Sequence, residues 1–518
     1  MLFNSIVFIF GYLPAVLIGY YLIAASPLRP LRMWFLGAAS LFFYGYWAPK
    51  YVLLLLFSMA VNYLVAMAIR RLEGRDRLRL ASVVFGLLFN LGLLFYFKYF
   101  NFFIDNVNLV TGLDIHLAKI VLPLAISFFT FQKIAFLFDL YRGRIQLGSV
   151  GDYVAFVLFF PQLIAGPIVH YSELEPQLKT PPRLNAATRN ILIGLTIFGI
   201  GLFKKTVLAD TFALYSSPVF NASADGVSPT FTGGWMAAVT YTLQIYFDFS
   251  GYSDMAIGLA RMFGVLLPLN FHSPLRATNI ADFWRRWHMT LSRFVQSYIF
   301  QPIQVPMARF AAEHTKSRLG NFGVAVAIPT FVSMVIIGVW HGAGWNFLIF
   351  GALQGSYMCL NELWTFLRRK KRKKGAVRPF YQTAFAHFLT VASFVVSSVP
   401  FRAKDVAVTM DFYGAMFPIA GLRAHGFDWV GAVPFGAAGV LAAMAVGWAI
   451  IAFLPNTQQF MTRITPALEW EKWGKVDPPP VKLAWKPTVG FVALTSVFLF
   501  LGIAFIMRGT TEFIYFNF

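Results

Sequence analysis

Apolar residues run along this 518-residue chain in long blocks, with polar residues gathered between the blocks. That pattern fits neither the period-two alternation of a half-buried strand nor the stripe of an amphipathic surface helix. The blocks have the length of helices that cross a hydrocarbon core roughly 30 Å thick. Candidate spans cover residues 5–24, 32–48, 51–69, 80–99, 120–138, 153–169, 190–203, 235–249, 251–268, 322–339, 343–360, 383–400, 432–453 and 487–507. Several are short for a straight crossing. The pattern therefore predicts an all-α polytopic membrane protein with roughly 11–13 membrane helices plus short re-entrant or interfacial helices. The first block has no basic lead and no small-residue cleavage site, so it reads as a membrane helix and not as a removed signal peptide.

Composition narrows the picture. The chain is 58% hydrophobic and 13% charged, against about 25% charged in soluble domains. A soluble domain with a single anchor is excluded, and no hydrophilic stretch is long enough for a separate soluble domain. The net charge of +21 collects in loops, notably 70–79 and 368–374. Basic loops between apolar spans mark the cytoplasmic face and attract anionic lipid headgroups. Nucleic-acid binding is not expected. With 70–79 in the cytoplasm, alternation also puts Arg29, Arg32, Arg142 and Arg144 there, and the N-terminus on the periplasmic side. The one cysteine, Cys359, excludes an internal disulfide and a cysteine-based metal cluster. It reads as a small buried residue. Lys204 and Lys205, at the end of a span, read as interfacial snorkelling. The least apolar block is 269–321, and polar loops follow at 401–429 and 455–486. The latter holds Asp477-Pro478-Pro479-Pro480 and should be irregular.

Four motifs could carry chemistry. In GVWHGAGWNFLIFGA (338–352), His341 is the one ionisable residue in an apolar, glycine-rich run. Such a group is expensive at membrane depth. Its glycines predict a loosened or broken helix that admits close approach of backbone or ligand. A histidine hydrogen-bonded between packed helices is the structural alternative. In a cavity, His341 could take a hydroxyl proton as general base. No G-x-S-x-G, H-E-x-x-H or P-loop occurs, and no metal site is expected.

In FWRRWHMTLSRF (283–294), one continuous helix would place Trp284, Trp287, His288 and Leu291 on one face. Arg286 and Arg293 would lie on the other. An interfacial helix with arginines on lipid phosphate and a site helix with guanidinium forks on a ligand phosphate account for it equally. In QIYFDFSGYSDMA (244–256), Asp248 and Asp254 are either site-lining or structural acids, paired with arginine or capping a helix broken at Ser250-Gly251. Six residues apart, they share no helical face. FPQLIAGPIVH (160–170) predicts a broken or re-entrant helix.

The order YFDFSGYSDMAIGLA, FWRRWHMTLSRF, GVWHGAGWNFLIFGA resembles the membrane-bound O-acyltransferase (MBOAT) family. The branch is the one holding the alginate O-acetyltransferase membrane subunit and the teichoic acid D-alanyl transferase. YFKYFNFF (96–103), LPLAISFFTFQ (122–132), FPQLIAGPIVH, FLPNTQQ (453–459) and FIYFNF (513–518) extend the resemblance along the chain. It implies one integral-membrane domain over 1–518, with a catalytic core at about 90–360 and C-terminal helices at 380–518. It implies helices around a central tunnel, with an acyl donor from the cytoplasm and an extracytoplasmic hydroxyl acceptor.

The family's catalytic histidine falls on His341 and its second histidine on His288. The expected activity is transfer of an acyl group, acetyl from acetyl-CoA, toward an exported polysaccharide such as alginate. A periplasmic acyltransferase would be the partner. No permanently bound cofactor is implied. Arg285, Arg286 and Arg293 are candidates for a donor phosphate, and Trp340, Trp287, Asp248 and Asp254 for the tunnel. The alternatives are a D-alanyl or other acyl transferase fed by an acyl carrier protein, a polysaccharide or lipid-linked sugar transporter, and a scaffold without chemistry. Where relatives carry a pattern like LRDY-I/L-Y-IPLGGNR, this chain has FVQSYIFQPIQVPMARFAAEHTKSRLG (294–320).

Overall fold

The structure, a computed structural model, describes residues 1–518 except 181, 369–378, 419–425, 509–512 and 515–518. Most of the basic run 368–374, the middle of the loop 401–429 and the last four residues of FIYFNF thus lie outside the described residues. Among the described residues there is no β-strand, only an isolated bridge between Pro268 and Leu468. Among the described residues, eight helices are long and apolar enough to cross a membrane: Val7–Ala25, Pro49–Arg71, Asp76–Thr111, Leu184–Ala224, Arg318–His341, Phe380–Arg402, Gly436–Phe453 and Val489–Ile506. Other expected spans are short helices, such as Arg32–Gly45, Ile126–Tyr141 and Val150–Leu158. The protein is thus an all-α, multi-pass membrane protein.

Phe231–Met262 lies at the centre and is buried along nearly its whole length. It runs unbroken through Ser250-Gly251, so the two acids cap no broken helix there. Glycine serves close packing here. An added Cβ on Gly201 would stand 2.6 Å from the Gly251 carbonyl oxygen, and one on Gly258 would stand 2.6 Å from that of Gly194. Two glycine pairs seven residues apart let this helix and Ala187–Phe203 touch backbone to backbone.

Lys204 and Lys205 begin a widened π-helical turn, Lys204–Ala209. They do not snorkel. Lys204 pairs with Asp254 at 2.7 Å, and the buried Lys205 pairs with Asp248 at 2.9 Å and Asp210 at 2.8 Å. Removing one partner of such a buried pair leaves an uncompensated charge, so the lysines and the acids are held together. Apposition to consecutive lysines explains two acids that share no helical face.

The block 269–321 begins deep in the protein and does not start as an interfacial helix. Trp284, Trp287 and His288 are buried. The expected single helix is two, Ile280–Arg286 and Met289–Val295, broken at Trp287-His288. Asn279 caps the first, its Oδ1 accepting from the Asp282 amide at 2.8 Å. The Trp284, Trp287, His288, Leu291 face therefore does not exist as one stripe. As expected, FPQLIAGPIVH is broken, with a short helix Phe160–Leu163 between irregular segments. The segment around Asp477 is irregular too.

Candidate functional site

His341 is the last residue of the helix Ile328–His341, which Gly342 ends in an extended conformation. The next helix, Trp345–Arg368, packs back against it. That return requires Gly338, because a side chain there would strike the Phe347 carbonyl. The His341 ring is 4% exposed and lies among Trp340, Phe350 and Phe401, with centroids 5.0, 5.8 and 5.1 Å away. His341 helps line a cavity of about 470 Å³ together with Trp47, Lys50, Tyr51, Lys98 and Trp340. That volume lies in the range of small-molecule sites.

His288 also lies beside Trp340. The indole centroid is 6.4 Å from the His288 ring. Phe249 meets that ring edge-on at 4.7 Å. His288 is fully buried and caps Met289–Val295 in the left-handed region, at φ 42° and ψ 53°. A residue with a Cβ pays about 1–2 kcal/mol for that conformation.

Asn270 holds it there. Its Oδ1 accepts from the Thr290 amide at 3.3 Å and the Thr290 hydroxyl at 2.9 Å, and its Nδ2 donates to Ser253 Oγ at 3.0 Å. The backbone amide fixes which end of the Asn270 side chain is oxygen. The same Oδ1 lies 3.1 Å from His288 Nδ1. Nδ1 must therefore carry the hydrogen, and in the neutral ring Nε2 carries the lone pair. Thr290 Oγ1 also accepts from the Ile168 amide at 3.0 Å. FPQLIAGPIVH is thereby tied to the His288 loop.

The remaining candidates fall elsewhere. Trp287 packs with Phe271, Phe283 and Phe394 at 5.1, 5.6 and 5.0 Å. Neither it nor Asp248 nor Asp254 lines the His341 cavity. Asp254 accepts from Lys204, Thr457 and Gln458, and Asp248 accepts from Lys205 and the Ile514 amide. FLPNTQQ thus serves to hold Asp254.

The side chains of Arg286 and Arg293 are 12% and 31% exposed. Arg286 is held by Asp282 and Asp477, and Arg293 by Glu173 and the Ile168 carbonyl. Arg285 is 70% exposed, with Asp282 at 3.3 Å. Another buried histidine, His272, lies 2.9 Å from the Val476 carbonyl oxygen, and burial holds it below the usual histidine range.

Sequence reasoning missed two groups at this site. Asn270 gave no signal in its neighbourhood. Lys98 did, as a lysine inside the apolar YFKYFNFF. Among the described residues, no cluster of His, Cys, Asp or Glu could hold a metal ion.

A family model for MBOAT, the membrane-bound O-acyltransferase family, matches residues 141–398. The chain is 38% identical to a peptidoglycan O-acetyltransferase of Helicobacter pylori over 452 residues, covering 82% of this chain and 81% of the relative. It is 34% identical over 425 residues to a Pseudomonas aeruginosa protein named "Probable alginate O-acetylase AlgI", covering 80% and 75%. A teichoic acid D-alanyltransferase of Bacillus subtilis is 27% identical over 291 residues, covering 54% and 69%. The matched region contains both histidines, the loop that strains His288 and the helix end that sets His341 on a cavity wall. The chain belongs to the membrane-bound O-acyltransferase family and is an O-acyltransferase.

Proposed function

We propose that this enzyme moves an acetyl group from acetyl-CoA on the cytoplasmic side toward a hydroxyl of an exported or cell-envelope polysaccharide. The observation that carries this reading is His341 on the wall of the 470 Å³ cavity, at the end of a helix. His341 acts as general base. It takes the acceptor's hydroxyl proton as that oxygen attacks the acetyl carbonyl carbon. The C–S bond breaks, and the departing thiolate takes the proton back from the imidazolium. His288, packed beside Trp340, orients the site. Among the three arginines expected to meet a donor phosphate, this reading favours the exposed Arg285.

Relatives named for peptidoglycan and for alginate support a glycan acceptor, and in this reading alginate is one acceptor among several. A periplasmic acyltransferase completes delivery to polymer. The protein sits in the inner membrane with its N-terminus periplasmic. Arg79 supports this orientation. Its guanidinium donates to the carbonyls of Leu140 and Tyr141, so the loops 70–79 and 141–144 share one end of the molecule.

Mass analysis of envelope polysaccharide from wild type and a His341→Ala strain tests the central claim. O-acetyl content should fall about 10²–10⁴-fold with folded protein retained. Unchanged acylation would remove His341 as the base. A carrier-fed D-alanyl transferase would instead be inert toward acetyl-CoA.

A further inference from the structure

The YFKYFNFF stretch plays no part in the reaction above, yet it reaches the histidine site. Lys98 is buried on a widened π turn, Phe95–Tyr99, within the long helix Asp76–Thr111. Its Nζ donates to the Trp340 carbonyl at 2.5 Å, to the His341 carbonyl at 3.1 Å and to Ser127 Oγ at 3.3 Å. Three acceptors match the three N–H groups of an ammonium. The neighbouring Tyr99 donates its hydroxyl to the Val339 carbonyl at 2.9 Å.

These carbonyls, 339 to 341, close the helix Ile328–His341. The last carbonyls of a helix have no partner within it and carry the negative end of its dipole. Consecutive residues on a regular helix point about 100° apart. The widened turn, a feature common at functional sites, carries both residues onto the same helix end.

We infer that Lys98 is a positioning residue, holding the His341 backbone, and through it the imidazole, against the cavity that both residues line. A purely structural cap needs no charge, as Tyr99 demonstrates one residue away. A lysine buried at membrane depth is costly. Here it sits on the two peptide carbonyls that bracket His341 and on the wall of the same cavity. The inference rests on His341 being the general base.

The test uses membrane vesicles from cells expressing the full-length protein, with transfer of radiolabelled acetyl from acetyl-CoA to glycan measured as donor concentration is varied. Folding is followed by elution and thermal midpoint of the purified protein in detergent. Lys98→Met should lower kcat about tenfold to a hundredfold, the scale of an ångström-level misplacement. KM for acetyl-CoA should stay within about twofold, because positioning acts on the chemical step and not on donor binding. Lys98→Gln, which keeps two donors, should recover part of the loss.

Full kcat in folded Lys98→Met would overturn the inference, as would a change confined to KM. Failure of both variants to fold would make Lys98 a residue of the fold itself and would equally overturn it. His341→Ala, run alongside, separates the two levels. Transfer surviving that substitution removes the base, and with it the inference. Transfer lost there but intact in Lys98→Met removes the inference alone.

Discussion

At the scale of single residues, His288 depends on Asn270, 18 positions upstream. Asn270→Ala would leave the buried Thr290 amide and hydroxyl without their acceptor. The expected loss is about 1–3 kcal/mol of stability, read as a lowered thermal midpoint in detergent, together with reduced acyl transfer. His288→Gly relieves the left-handed strain but removes a buried ring packed on Phe249 and Trp340. Its midpoint should therefore fall as well, for about 2–5 kcal/mol of lost packing, with transfer reduced. A midpoint unchanged from wild type would argue against the ring as a packing element. His341 stood out in the sequence because an ionisable group in an apolar run is costly, whereas His288, among arginines, was singled out by the family resemblance. The backbone at His288 was not legible. Nothing local in WRRWHM opposes a continuous helix, and the break is imposed by Asn270 drawing in the Thr290 amide and side chain.

Among elements, the pairing of Phe231–Met262 with the preceding helix rests on glycine contacts and two lysine–aspartate pairs. Lys205→Met would strand Asp248 and Asp210 without their buried cation. Breaking such a pair costs about 3–5 kcal/mol, so folded yield should collapse. Adding Asp248→Asn should recover part of it, because asparagine can still accept from the Ile514 amide while carrying no charge. Equal yields for the single and double variants would argue against the pair as the cause. Gly258→Val should also destabilise, by about 1–3 kcal/mol for overpacking, because its side chain would meet the Gly194 carbonyl and the backbone of Phe198. From sequence, Gly251 allowed a break and Lys204-Lys205 looked like an interfacial anchor. Both readings used the strand of sequence around the residue, whereas the partner that gives each its role lies on another helix.

For the whole molecule, the expected orientation can be tested by labelling. Single cysteines introduced at Arg77 and Asp114, in a Cys359→Ser background, should differ toward a membrane-impermeant maleimide in spheroplasts. Asp114 should label in intact spheroplasts and Arg77 only after permeabilisation. The reverse pattern would invert the topology and put the His341 cavity, flanked by residues 47–51 and 121–125, on the cytoplasmic side. Membrane class and the all-α character followed from the sequence alone. Hydrophobic block length and the cost of burying a charge are local properties of a chain in a bilayer. The family followed as well, since its motifs are short and contiguous. Tertiary structure decided which polar residues meet. It put Lys98 on the end of the His341 helix, 243 residues away, and spent Asp248, Asp254, Arg286 and Arg293 on ion pairs. A buried charge takes whatever partner the packing of distant helices brings within reach, and that distance in sequence hides the partner until the chain is folded.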